Sequence, residues 1–247
     1  MKQSMYTVLT NRPIAKNTYE MTLAGDTSAF TRPGQFLNIR LDGFYLRRPI
    51  SVCDWEDDRT VIVYKTVGAG TQRMASLAAG AHLDILTGLG NGFDLSKSTE
   101  TPLLVGGGAG VPPMYGLAKR LKAAGKQVSV ILGFNSADEV FYEENFRALG
   151  VAVYLATADG SAGTKGFVTD VMKGLSYGFF YTCGPMPMFR AIEKIAVTGG
   201  EYSFEERMGC GFGACMGCSC KTLTGGYKRI CKDGPVLERE EIVWTQA

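Results

Sequence analysis

The chain has almost no surplus of either charge: 26 lysines and arginines stand against 24 aspartates and glutamates, a formal net charge of +2. A protein that tracks phosphate backbones needs a basic excess, so no nucleic-acid partner is expected. No segment approaches the roughly 18 consecutive apolar residues that cross a bilayer, and no membrane span is expected. The first residues, Met1-Lys2-Gln3-Ser4-Met5-Tyr6-Thr7, lack the apolar stretch of a secretory signal, which points to the cytoplasm. Histidine is nearly missing. The single one, His82, falls in a strand-like stretch and reads as structural rather than as a catalytic base. Internal repeats and low-complexity tracts are absent as well.

What is present is a globular composition, 45% hydrophobic and 20% charged over 247 residues, enough for two domains and a small appendage. Seven cysteines need a reason, because cytoplasmic disulfides are disfavoured and an odd number cannot pair fully within one chain. Cys210, Cys215 and Cys218 have the spacing C-x4-C-x2-C, and Cys231 follows after twelve residues. That is the plant-type ligand pattern of a 2Fe-2S cluster, in which a tight loop wraps the metal and a fourth thiolate arrives from outside. Gly209, Gly211, Gly213 and Gly217 suit such a loop, since glycine accepts positive φ and lets N–H groups approach the sulfurs. Four cysteines also suit zinc, although zinc sites usually pair two short knuckles and the second is missing here. Unligated thiols are the third alternative. Cys220 and Cys53 read as small buried hydrophobes.

Hydrophobic alternation and turn chemistry make residues 1–97 all-β, with strands expected over 5–9, 18–23, 35–41, 60–67 and 82–86. Short strands at this spacing predict a small antiparallel barrel or sandwich, interrupted by one short helix over 71–77. A polar stretch over 96–101 reads as a linker. Residues 98–200 then alternate strands (103–105, 128–133, 151–156, 179–182) with helices (112–124, 138–149, 168–173, 186–196). That order predicts a parallel sheet covered on both faces. Residues 201–247, rich in glycine and cysteine, form a third, small unit. The fold class is therefore a multi-domain α/β plus β chain: a β-barrel, a parallel αβ domain and a C-terminal cluster domain.

Arg48 and Ser51, in Arg47-Arg48-Pro49-Ile50-Ser51, place a fixed cation and a hydroxyl on a strand edge. Gly70-Thr71 opens the short helix, where free N–H groups favour an anion. Leu103-Leu104-Val105 runs into Gly106-Gly107-Gly108-Ala109-Gly110-Val111-Pro112-Pro113, a strand, glycine loop and helix that lets a pyrophosphate approach the backbone. It departs from G-x-G-x-x-G at its last glycine. After the second strand of this domain come Asn135, Ser136, Asp138 and Glu139, with no lysine or arginine to receive a 2′-phosphate, so NADH is expected over NADPH.

These marks together resemble the ferredoxin-NADP reductase superfamily. The resemblance implies that Arg48, Pro49, Ile50, Ser51, Gly70 and Thr71 hold FAD, and that Val63, Tyr64 and Lys65 line it. It implies also that Gly107, Gly108, Gly110, Cys183, Gly184 and Pro185 bind the nicotinamide nucleotide. Ile50 stands where many members have tyrosine, so ring stacking from that position is missing. With the cysteine loop at the end, the order is similar to one family in particular, the electron-transfer subunit of NAD-dependent (class 1B) dihydroorotate dehydrogenase. Its most specific matches are residues 47–51, Leu-Gly-Asn-Gly-Phe (89–93), the glycine loop, Ala-Asp-Gly-Ser (158–161) and Glu-Glu-Arg-Met-Gly-Cys-Gly (205–211).

That family implies electron flow from an FMN-containing catalytic subunit, in a heterotetramer of two of each, through the cluster and FAD to NAD⁺ in pyrimidine synthesis. Ser51 would then sit at the flavin ring and Cys183 at the nicotinamide, as the catalytic positions. Two alternatives stay open. One is a flavin/iron–sulfur subunit of a ferredoxin-NADP oxidoreductase or sulfide dehydrogenase complex, where the first cluster ligand is often aspartate rather than a cysteine such as Cys210. The other is a non-catalytic redox carrier, which would need neither nucleotide site.

Overall fold

The computed structural model describes residues 1–223 and 225–244; residues 224 and 245–247 of the expected cluster unit lie outside the described residues. Alternation places five of the six barrel strands, one of them longer than its apolar pattern. β1 (Lys2–Ala15) pairs with β6 (His82–Leu89) through its first half and with β2 (Thr18–Ala24) through its second. A single bent strand thereby closes the barrel, and its register shift between Val8 and Thr10 provides the bend. The remaining members are β3 (Phe36–Ile39), β4 (Arg48–Glu56) and β5 (Arg59–Lys65), in the closed order β1-β2-β5-β4-β3-β6. Beyond its Arg-x-x-Ser edge, β4 was not among the expected strands. Its half-buried sequence hides the two-residue period. The expected short helix is α1 (Ala69–Ala75).

The second body is a seven-stranded sheet in the order β10-β9-β8-β7-β11-β12-β15. β7 (Pro102–Gly107), α2 (Val111–Ala123), β8 (Ser129–Phe134), α3 (Glu143–Ala148) and β9 (Ala152–Thr157) come first. β10 (Thr164–Lys165), α4 (Val168–Met172), β11 (Phe179–Cys183), α5 (Met186–Glu193) and β12 (Gly200–Ser203) follow. All these strands run parallel, and β15 (Val236–Glu238) caps the β12 edge antiparallel. Between β12 and β15 the chain leaves the sheet and folds the cysteine loop over the hairpin β13 (Ser219–Lys221) and β14 (Tyr227–Arg229).

The helix expected over 138–149 is broken. A 3₁₀ turn at Ala137–Glu139 is followed by extended residues and by Tyr142 in the left-handed region (φ 67°) before α3 begins. Tertiary contacts override the local propensity: Phe141 packs on Phe134, Tyr142 on Tyr115, and the Tyr142 hydroxyl donates to Glu20 of the barrel at 2.7 Å. α2 joins the two bodies. Gly116 lies so close to β4 that an added Cβ would stand 2.5 Å from the Cys53 carbonyl oxygen, and Arg120 covers the Trp55 ring at 3.5 Å.

Glu201 on β12 is 3% exposed and accepts the Asp94 N–H at 2.9 Å, with Lys97 Nζ 3.7 Å away. Burial pushes its carboxyl from the ordinary 4.5 up to about 7. The folded state thus holds a proton that the unfolded chain releases earlier. The stability this brings is complete below the unfolded value and is lost as pH rises through the folded one. Glu201→Gln keeps an acceptor for Asp94 and is expected to remove a pH-dependent loss of up to about 3 kcal/mol. Thermal melts on either side of that window check it, and parallel wild-type and variant melts would refute it.

Candidate functional site

The four cysteines stand as two pairs. Cys210 and Cys215 face one another, with the Ala214 N–H donating to Cys210 Sγ at 3.2 Å and the Cys210 N–H to Cys215 Sγ at 3.5 Å. Cys218 and Cys231 form the second pair, the Cys231 N–H donating to Cys218 Sγ at 3.4 Å. Burial opposes ionisation of Cys210, but the N–H groups of Phe212, Cys215 and Ala214 and the Cys215 thiol outweigh it and bring its pKa to about 6. Burial, and then the Cys218 thiol, push Cys231 upward.

Two thiol pairs bonded by backbone N–H groups fit a binuclear cluster. Of the four loop glycines, Gly211 and Gly213 take positive φ, and Met216 takes the third left-handed position. Cys220 packs beside the apolar residues of this region and Cys53 is buried under Tyr142, with burial raising both thiols.

The loop rests on the outer face of the barrel. In β3 the pleat sends Leu37 and Ile39 into the barrel core, while Phe36 packs with Cys218, Ile230 and Cys231. Asn38, 1% exposed, donates its amide to the Cys210 carbonyl at 3.4 Å, and its own Oδ1 has no partner. β3 pairs Phe36 with Ser51 and Asn38 with Pro49, so one strand separates the Arg48–Ser51 stretch from the cysteine loop. Asn91, in the Leu-Gly-Asn-Gly-Phe segment, brackets the return of the loop: its side chain accepts the Val236 N–H at 3.1 Å and donates to the Val236 carbonyl at 2.7 Å.

Arg48 and Gly70 are brought together. The guanidinium covers the Phe44 ring at 4.8 Å and lies against α1 so closely that a Cβ on Gly70 would stand 2.1 Å from Nε. A cation beside first-turn N–H groups is a cradle for an anion, which fits a flavin phosphate. The Thr71 hydroxyl is spent within the turn, accepting the Val67 N–H at 2.9 Å and donating to the Gly68 carbonyl at 3.0 Å. Ile50 packs toward the barrel core. Tyr64 does so fully, its hydroxyl bonded to Asn11 at 2.9 Å, so only its backbone reaches the outer face. Val63 packs against the core shared with α2. His82 is exposed and shares a single 3.2 Å contact with Thr7.

A cleft of about 500 Å³ opens at the carboxyl ends of β7, β8, β9 and β11, where parallel sheets bind ligands beside the strand that reverses their order. Gly107, Gly108 and Pro185 line it. Gly110 lies behind them, where a Cβ would stand 2.1 Å from the Cys183 carbonyl oxygen, and Gly184 backs onto Met188. Gly108, at φ +51°, has open space where its Cβ would be. That is room for a pyrophosphate to reach the backbone. Cys183 does not line the cleft; its carbonyl backs onto Gly110 behind the glycine loop. Its thiol is 1% exposed, raised by burial and turned toward Ser203.

Several lining residues, among them Met188, Phe167 and Glu205, were not anticipated as parts of this cleft. Met188 and Phe167 are wall residues with no motif to announce them. Glu205 opens into the cleft, yet the surrounding wall desolvates its carboxyl and raises it above the usual range. Its place in the Glu-Glu-Arg-Met-Gly-Cys-Gly segment was a usable signal.

Residues 205–243 match the family described as the iron-sulfur cluster binding domain of dihydroorotate dehydrogenase B, and residues 104–194 the oxidoreductase NAD-binding domain. The chain is 46% identical over 257 residues to a Fusobacterium nucleatum protein named dihydroorotate dehydrogenase B (NAD(+)), electron transfer subunit, covering 98% of this chain and 99% of that one. It is 46% identical over 255 residues to a Bacillus pumilus protein of the same name, covering 98% of each. Among solved structures, one of an NADH-dependent reduced ferredoxin-NADP oxidoreductase, described in connection with flavin-based electron bifurcation, superposes with TM-score 0.89 at 28% identity. It covers 98% of this chain and 91% of that one. A Neisseria gonorrhoeae ferredoxin NADP⁺ reductase with bound FAD and NADP shares the fold (TM-score 0.68, 16% identity, covering 79% of this chain and 92% of that one).

Proposed function

Because the chain belongs to the family of the electron transfer subunit of NAD(+)-dependent dihydroorotate dehydrogenase B, we propose that it carries electrons from an FMN-containing catalytic subunit to NAD⁺ in pyrimidine synthesis, holding a 2Fe-2S cluster and FAD. The observation that carries this reading is one of placement. Two thiol pairs stand one strand away from the Arg48–Ser51 stretch, and a dinucleotide cleft opens in the same chain.

Cys210, Cys215, Cys218 and Cys231 would hold the cluster. Arg48, with Gly70 and Thr71 in the α1 turn, would bind the FAD phosphates, and Pro49, Ile50, Ser51, Val63 and Tyr64 would form the strand walls beside it. Gly107, Gly108, Gly110, Cys183, Gly184 and Pro185 would shape the nicotinamide site. When bound, the cluster supplies single-electron exchange and the flavin exchanges a hydride with the nicotinamide. The protein's own part is positioning. Ser51 would orient the flavin ring from the barrel edge, the Cys183 carbonyl would back the glycine loop behind the cleft, and Asn38 ties the barrel to the Cys210 carbonyl.

On this reading, residues 1–97 form the FAD unit, 98–200 the NAD unit and 201–247 the cluster unit. The assembly is a cytoplasmic heterotetramer of two subunits of each kind. Among the described residues no helix is long and apolar enough to cross a membrane. The purified chain is expected to reduce an artificial dye with NADH; absence of that activity with FAD bound would overturn the reading. The 28%-identical oxidoreductase shares the architecture, and the identity of 46% across the full chain favours the orotate system over it.

A further inference from the structure

Three charged side chains line the nucleotide cleft among the described residues: Lys65, Glu139 and Glu205. Residues after β8 alone supply no cation, but Lys65 reaches the same place from β5 of the barrel. Its Nζ lies 2.8 Å from Glu139 Oε2, with side chains only 22% and 18% exposed. Asn135 donates to the same carboxylate at 3.2 Å and keeps it aimed at the ammonium. Lys65, first of all, holds the Glu139 carboxyl below its usual range, as a real ion pair should. The neighbouring Lys16 is occupied by Asp138 at 2.8 Å.

A bare ammonium in the wall of this cleft would attract phosphate, and it would favour a dinucleotide with an extra 2′-phosphate over one without. We propose that Glu139 is the specificity-determining residue of the cleft: by neutralising Lys65 it withholds the one cation that would reward a 2′-phosphorylated dinucleotide. This rests on the cleft being the NAD site. It also assigns the Lys65 side chain to the nucleotide cleft rather than to the flavin.

The test is equilibrium binding of NAD⁺ and of NADP⁺ to the FAD-loaded protein, with flavin content measured alongside. Glu139→Gln keeps size and hydrogen bonding while removing the charge. It should raise NADP⁺ affinity relative to NAD⁺ by about tenfold, the effect of one uncompensated charge at short range in a partly screened site. Lys65→Met should shift the ratio the other way, and in the double variant the gain from Glu139→Gln should vanish. A purely structural staple between barrel and sheet would change both nucleotides alike. An unmoved ratio in Glu139→Gln, or loss of FAD from Lys65→Met alone, overturns the proposal. Failure of the wild-type chain to bind NAD⁺ would instead remove the reading on which it rests.

Discussion

Replacing Cys215 with serine is expected to abolish the visible absorbance and EPR signal of the iron–sulfur cluster while leaving NADH-to-dye reduction largely intact. Cys215 is the cleanest of the four thiols to replace. It is exposed, whereas Cys218 and Cys231 are buried in the core that also holds Phe36 and Ile230. Its loss would remove a proposed cluster ligand without opening a cavity, so the barrel and the cleft should keep their shape. A serine hydroxyl does not ionise as a thiol does, and it offers no sulfur for the Cys210 N–H that now donates to Cys215. The nucleotide cleft is built from β7, β8, β9 and β11 and needs nothing from Cys215. Transfer from the catalytic subunit should collapse in the same variant. If dye reduction disappears with FAD still bound, the two redox functions are not separable as the architecture implies.

The second large effect is expected from Arg48→Ala. The guanidinium lies on the first turn of α1 and over Phe44, so its cation and the N–H groups near Gly70 share one small region. A charge-assisted hydrogen bond contributes about 1.5–3 kcal/mol, so FAD should bind about 10- to 100-fold more weakly. Flavin content after dialysis reads this directly. Gly70→Ala gives an independent approach, because its Cβ would stand 2.1 Å from Arg48 Nε and must displace the guanidinium. Both variants should lose flavin while keeping the cluster signal, the mirror image of Cys215→Ser. Unchanged flavin content in Arg48→Ala would refute the role given to it.

Much of this was legible in the sequence, for identifiable reasons. The cysteine spacing is local and strict, and the fold folds it into two pairs. The parallel sheet announces itself through short apolar strands, glycine loops and proline-started helices, of which α2 lies within a residue of its expected bounds. The break before α3 was not legible, because Phe141 leaves the helical path for Phe134 at the end of β8, and Tyr142 for Tyr115 and Glu20, both distant in sequence. The antiparallel edge strand β15 also escaped notice, since three residues carry no periodicity. The site residues divide in the same way. Motif spacing finds Gly107 and Arg48, but it cannot say that the pleat of β5 turns Tyr64 inward and sends Lys65 to Glu139. Asn38 left one faint trace, a single amide in an otherwise apolar strand. Its meaning depends on the loop packed against it from residue 210.

Joining the chain to the proposed catalytic subunit, with dihydroorotate as the reductant and NAD⁺ as the acceptor, and following NADH tests the electron route as a whole. Electron flow along that route should form NADH only when this chain is present, and should fail with Cys215→Ser. A complex that contains both FAD and the cluster, yet forms no NADH from dihydroorotate, would contradict it.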